Sequence, residues 1–259
     1  MFLRYSLITF CLFALTLSIF SSSCTSSNNK VLTIATAANM QFAMEELVDI
    51  FQEENNIQCE LITGSSGKLT AQILESAPYD LFVSADTFYP FELSQKGNTL
   101  SEPINYAIGQ LVLWSWKKRA NLTLESLLND DIHHIAIANP KTAPYGLAAQ
   151  QTLYALNLYD TLQQKLVYGE SISQTNQFIT SQAAEIGFTA KSTVFSPQMK
   201  GKGTWISIDT SLYEKIIQAL VPLKNQRGLE KEIYQFIEFI KSTKGRATLE
   251  KYGYLLPEN

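Results

Sequence analysis

Gly64-Ser65-Ser66-Gly67 is the stretch of this 259-residue chain whose residue types could do chemistry together. An apolar run at 59–63 reads as a strand before it, and helical spacing begins at 69–74 after it. Glycine lets the backbone bend tightly and approach a ligand closely, and serine brings a hydroxyl with a preference for the N-cap. The first amides of a helix lack internal acceptors, and the helix dipole makes that end positive. A strand, a Gly/Ser turn and a helix start therefore form a seat for an oxyanion. Taken alone, the same residues also describe a serine-capped helix after an ordinary turn. They do not form a phosphate-binding P-loop, which needs glycine where Ile62 stands and Ser or Thr where Leu69 stands.

Other chemistry finds little support. His133 and His134 are adjacent in an expected strand, so they point to opposite faces and cannot share a metal through helical i, i+4 spacing. A G-x-S-x-G hydrolase elbow would need glycine at Lys68. Asp80 and Asp86 flank a short strand; Asp80 is expected to accept from backbone amides and Asp86 to cap a helix. No metal-ligand spacing occurs. The chain is expected to be no enzyme and to hold no cofactor.

Helix starts after strands recur, however. Ala38-Asn39 opens a helix after the first strand and Ser65-Ser66 after the second. Pro144-Tyr145-Gly146 and Ser171-Ile172-Ser173 do the same in the second half. Each is by itself a helix cap. Together they fit a cleft lined by converging helix N-termini at the carboxyl ends of strands.

The elements that must position these starts follow from periodicity. Residues 31–97 read β-α-β-α-β-α, which implies a parallel sheet covered by helices. The run 106–116 is a long apolar strand and marks the crossing into a second lobe. That lobe has expected strands at 132–138, 186–189 and 205–208, with helices at 147–156 and from Ser171 or Ser173 to about 182. The run 218–223 (QALVPL) returns to the first lobe, where an amphipathic helix at 229–241 turns Ile233, Phe236, Ile237 and Ile240 inward. The expected division is 31–108 with 219–259 as lobe 1, and 109–218 as lobe 2. With 46% hydrophobic and 17% charged residues, a net charge of −4 and no long basic cluster, the chain is globular and carries no nucleic-acid footprint.

Residues 1–23 read as a signal peptide: Arg4, an apolar core at 7–20 too short to span a membrane comfortably, then Ser21-Ser22-Ser23 before Cys24. This resembles a bacterial lipoprotein signal with Cys24 lipidated and 24–30 as a polar tether. Ser21 stands where that motif prefers leucine, so secretion without a lipid is the alternative. Of Cys11, Cys24 and Cys59, only Cys59 remains for the folded part, so no internal disulfide framework is expected.

From 31 to about 254 the chain resembles the substrate-binding proteins of molybdate ABC importers. The carriers are ATAANM (35–40), GSSGKL (64–69), APYDLFVSAD (77–86), NPKTAPYG (139–146), IGFTAKS (186–192) and QALVPL (218–223). The resemblance implies a two-lobed type II periplasmic-binding-protein fold, α/β, each lobe a mainly parallel sheet flanked by helices, with the ligand in the cleft. It implies molybdate or tungstate as ligand, with sulfate or a phosphonate as the alternative, and an ABC permease as partner. It also implies a monomer, held at the membrane by a lipid on Cys24. Residue by residue, the ligand positions fall on Asn39, beside Ala38, and Ser66, beside Ser65. In the second lobe they are the amides of Tyr145 and Ile172. Where some members present a tyrosine, this chain has Ala190, leaving that place to Tyr145 or another second-lobe donor. A fully deprotonated dianion only accepts hydrogen bonds, so a site of amide, Ser and Asn donors suits it and disfavours protonated phosphate. Lys68 is expected to point to solvent and to stay off the ligand.

Overall fold

Burial follows topology. The computed structural model describes residues 31–225 and 227–257, so the segment 1–23, Cys24 and the tether 24–30 lie outside the described residues. β1 (Leu32–Ala37) is buried at every position, as a strand covered on both faces must be. It leads through a 3-10 turn at Ala38–Met40 into α1 (Gln41–Asn55), which stops where Asn56 turns left-handed at φ 53°. Then follow β2 (Cys59–Gly64), α2 (Ser66–Leu74), β3 (Leu81–Val83), α3 (Phe88–Gln95) and β4 (Ile104–Gly109). The second half runs β5 (Leu111–Ser115), β6 (Ile135–Ala138), α4 (Pro144–Ala155), α5 (Tyr159–Leu162), β7 (Leu166–Gly169), α6 (Ile172–Thr180), β8 (Ile186–Ala190), α7 (Lys191–Phe195) and β9 (Thr204–Ser207). β10 (Ile216–Pro222), α8 (Glu230–Lys241) and α9 (Thr243–Lys251) close the chain.

Two five-stranded sheets result, ordered β2-β1-β3-β10-β4 and β7-β6-β8-β5-β9. Each has a parallel core, β1 with β2 and β3, and β6 with β7 and β8. Each is nevertheless mixed: β10 runs antiparallel to β3 and β4, and β5 runs antiparallel to β8 and β9. The antiparallel members are the strands nearest the crossings, where the chain must enter and leave a lobe.

The apolar run 106–116 is not one strand. It breaks at Gln110, with β4 in the first sheet and β5 in the second. Periodicity could not reveal the change because both halves are equally apolar and buried. The return comes earlier than 219: Ile216–Gln218, expected in the second lobe, pair with Ala107–Gly109 in the first sheet. The C-terminal tail binds the same strand, with the Ile108 and Leu255 backbones exchanging hydrogen bonds of 2.7 and 3.0 Å.

The first-lobe core is built as the spacing of α8 requires. Ile233, Phe236, Ile237 and Ile240 are buried, and Phe236 meets Phe51 of α1 edge-on at 4.9 Å between ring centroids. Burial of such side chains stabilises by about 1.5–3 kcal/mol each. Asp80 accepts from the Thr33 amide at 2.7 Å, as expected of it, and also from Arg227 at 2.7 Å, tying the end of β10 to β1. The second-lobe core continues into Ala37, Ala38 and Ala85 of the first lobe, so the two lobes are packed together.

Candidate functional site

Four helix starts meet between the lobes. Each is positioned by a strand that ends at the cleft: β1 before Ala38, β2 before Ser65, β6 before the turn to Pro144, and β7 before Ser171. They line a small pocket, a cavity of about 10 Å³, with Ala37, Ala38, Asn39, Ser65 and Ser66 on one wall. Ala85 completes that wall, and Ala143, Pro144, Tyr145 and Ile172 form the other. All six sequence-derived positions, Ala38, Asn39, Ser65, Ser66, Tyr145 and Ile172, therefore lie in one place. No lining residue carries a charge, and none comes from β8, where Ala190 is fully buried.

The Gly/Ser turn is not a serine-capped helix. Ser65 holds the N-cap position of α2 with an extended backbone, but its hydroxyl caps nothing. Ser65 Oγ is buried and has no hydrogen-bond partner among the described residues. An unmet hydroxyl costs about 1–3 kcal/mol, a penalty a bound acceptor would remove. Ser66 Oγ accepts from the Ala85 amide at 3.0 Å, which leaves its own proton free to donate into the pocket.

Asn39 departs from expectation in which of its atoms are available. Both hydrogens of its side-chain amide are used, to Gln218 Oε1 and to Tyr254 Oη, each at 3.0 Å. The Asn side chain is therefore no free donor; what Asn39 offers is its backbone N–H, second in the 3-10 turn. Its carbonyl is held by Tyr254 Oη at 2.8 Å and by Ser192 Oγ, from the second lobe, at 2.7 Å.

On the opposite wall Pro144 takes the first position of α4, where its missing N–H costs nothing. Tyr145 follows, so its amide is among the unpaired first turn. Its ring turns away from the helix into the crossing, where Gln218 Nε2 donates to Tyr145 Oη at 3.1 Å. Burial pushes this phenol well above the ordinary tyrosine range, so it stays protonated. Ile172 is the first residue of α6, after Ser171, whose hydroxyl accepts from the Gln174 amide at 3.5 Å.

Around the pocket the lobes are latched. The Gly67 amide donates to the Thr142 carbonyl at 2.9 Å, Tyr89 Oη to the Lys141 carbonyl at 3.2 Å, and Ser173 Oγ to Gln41 Oε1 at 3.0 Å. Lys68 does not simply face solvent: it pairs with Glu170 across the cleft mouth, both half exposed. It is not among the residues that line the pocket. Asp86, expected to cap α3, stands one residue before the actual N-cap, Thr87; it accepts from the Tyr89 amide at 3.3 Å and from Ser84 Oγ at 2.9 Å. Burial raises its pKa to about 6 despite those bonds.

The remaining candidates stay outside. His133 and His134 precede β6 and are both exposed, their amides donating to Glu185. They lie in the approach to the strand, so the opposite-faces argument does not apply to them. Among the described residues no group of three or more His, Cys, Asp or Glu could hold a metal ion. Burial pushes the Cys59 thiol up to about 12, which makes it inert. Sequence reasoning missed Gln218, Tyr106, Ser192 and Tyr254, the polar groups that hold the pocket walls. Gln218 had a signal: it is the one polar residue of QALVPL.

The chain matches the bacterial extracellular solute-binding proteins over residues 32–255. It is 35% identical over 223 residues to a molybdate-binding protein, ModA, of Rhodobacter capsulatus, covering 85% of this chain and 86% of that one. A putative ABC transporter substrate-binding lipoprotein of Bacillus subtilis, YvgL, is 28% identical over 237 residues, 90% of each chain. In three dimensions it is similar to the periplasmic molybdate-binding protein of Azotobacter vinelandii, with a TM-score of 0.84 and 35% identity over 88% of this chain and 100% of that one. Among the described residues no helix is long and apolar enough to cross a membrane.

Proposed function

Because this chain belongs to the bacterial extracellular solute-binding protein family and has its type II periplasmic-binding fold, we propose that it captures molybdate or tungstate between its lobes and delivers it to an ABC permease. The observation that carries this reading is a small pocket between the lobes, lined by helix N-termini and serines with no charged side chain. A tetrahedral dianion brings only acceptors. The pocket offers donors: the Ser66 proton, the partnerless Ser65 hydroxyl, and the first-turn amides at Ala38, Asn39, Tyr145 and Ile172. Hydrogen bonds to a charged group contribute about 1.5–3 kcal/mol each. Five or six of them, less the cost of closure, support affinity in the roughly micromolar to nanomolar range.

A delivery protein must also let go. Hydroxyls and amides leave no buried cation behind when the lobes part, so release requires that the contacts across the cleft open, among them those of Gly67, Tyr89, Ser173 and Ser192. Closure then turns on the two crossings, near Gly109 and just before β10, as a hinge. The family is a solute-binding one that acts outside the cytoplasm, and it is not an enzyme family. Cys24 is the proposed lipid site, and mass spectrometry of the mature N-terminus tests it. The protein is proposed to act as a monomer.

Titration calorimetry with molybdate, tungstate and sulfate tests the ligand, and elemental analysis after exposure to the mixed oxyanions names the occupant. Tight, saturable heats with molybdate and tungstate and none with sulfate are expected. Absence of heat and of thermal stabilisation with molybdate would sink the proposal.

A further inference from the structure

Gln218 is fully buried in β10, at the point where the pairing of β10 with β4 shifts register between Gln218 and Ala219. Its amide has a partner on each side of the cleft. Oε1 accepts from Asn39 Nδ2 at 3.0 Å and from Tyr106 Oη at 2.9 Å, both in the first lobe. Nε2 donates to Tyr145 Oη, in the second lobe, at 3.1 Å. The space for this bond is made by Gly109, the last residue of β4 before the crossing. A Cβ there would lie 2.1 Å from Tyr145 Oη and 2.6 Å from Gln218 Nε2. Asn39 and Tyr145 are also the residues whose backbones start a helix at the pocket on opposite walls.

We infer that Gln218 is the positioning residue for lobe closure, its single amide fixing the Asn39 turn of one lobe and the Tyr145 helix start of the other in the register of the closed pocket. It does not line the pocket. Its effect passes through the two residues it holds. An amide is the side chain that fits, because one end must accept from Asn39 and Tyr106 while the other donates to the phenol. The contact is remote from solvent, so it is not weakened by exchange with water as the rim latches are.

The inference rests on closure around a ligand, and on molybdate as that ligand only for one arm of its test. Amide hydrogen exchange of the full protein is followed at Gly67, whose N–H crosses the cleft, and at Phe82 in β3 as a reporter of global opening. Gln218→Leu removes both ends of the link. Tyr145→Phe removes only the phenol oxygen and leaves the pocket amide, so it serves if the leucine variant folds poorly. Both variants should exchange the Gly67 amide at least several-fold faster than wild type, with Phe82 unchanged. Both should also release molybdate about tenfold faster, with effects in the double variant that are not additive. Wild-type rates at Gly67 in both variants, with and without molybdate, would overturn the inference. If molybdate fails to slow Gly67 exchange in wild type, the ligand assignment falls. The comparison of unliganded wild type with the variants still decides the role of Gln218.

Discussion

The amide of Gly67 in α2 donates to the carbonyl of Thr142, 2.9 Å away across the cleft. A Cβ on Gly67 would stand 2.6 Å from Tyr89 Oη and 3.1 Å from the Thr142 Cα. Glycine is therefore favoured here by Tyr89 of its own lobe and by Thr142 of the other, since its own backbone is helical. The two ends of this contact come from segments 75 residues apart, one opening each wall's rim.

Gly67→Ala separates folding from closure. Alanine is the better helix former by about 0.8–1 kcal/mol, which offsets the displacement of the Tyr89 hydroxyl, so the unliganded variant should melt close to wild type. Molybdate affinity should fall tenfold or more because Thr142 cannot approach. Calorimetry beside a melting curve measures both, and unchanged affinity would show that the closed contact is dispensable.

The two serines should differ in what they do to the empty protein. Ser65→Ala removes a buried hydroxyl without a partner, so unliganded stability should hold or rise while molybdate binding weakens. Ser66→Ala leaves the Ala85 amide without its acceptor, so it should lower both. Losses of about 1.5–3 kcal/mol in binding, roughly tenfold to a hundredfold, are expected for each. Equal stability losses in the two variants would contradict the hydrogen-bond assignment.

The Lys68–Glu170 pair is exposed at the mouth of the cleft. Surface pairs contribute about 0–1 kcal/mol and are screened by salt. Lys68→Ala should therefore change molybdate affinity less than about fivefold, and less still in high salt. A loss as large as that of Ser66→Ala would place Lys68 on the ligand after all.

Asp86 makes stability depend on pH. Its pKa is raised to about 6 by burial, above the ordinary 3.8, so the folded state binds the proton more tightly than the unfolded chain. Its contribution is fully favourable below pH 3.8 and is lost as pH rises through about 6. Asp86→Asn keeps acceptors for Ser84 and Tyr89 without the charge. It should stabilise the protein at pH 7.5 by about 1–3 kcal/mol, with the gain shrinking towards pH 4. Denaturant melts at the two pH values measure it, and a gain independent of pH would rule out the titration.

The candidate site was legible in part because helix starts are local events. Ser65-Ser66, Pro144-Tyr145 and Ser171-Ile172 carry their turn chemistry within a few residues, and the structure brings them to one pocket. What each atom does there was not legible. Asn39 looked like a side-chain donor until Gln218 and Tyr254, 179 and 215 residues away, were found holding its amide. Lys68 looked solvated until Glu170 faced it.

By itself, the sequence determined the alternation of strands and helices, the inward face of α8 and the recurrent helix starts. These follow from periodicity and backbone preference, which act over one or two turns. Only the tertiary structure decided that 106–116 splits between two sheets at Gln110, that β10 enters the first sheet at Ile216, and that among the described residues Ser65 Oγ lacks a partner while Ser66 Oγ has one. Hydrogen-bond partners hundreds of residues apart and the space left by a missing Cβ are properties of packing, which no local pattern encodes.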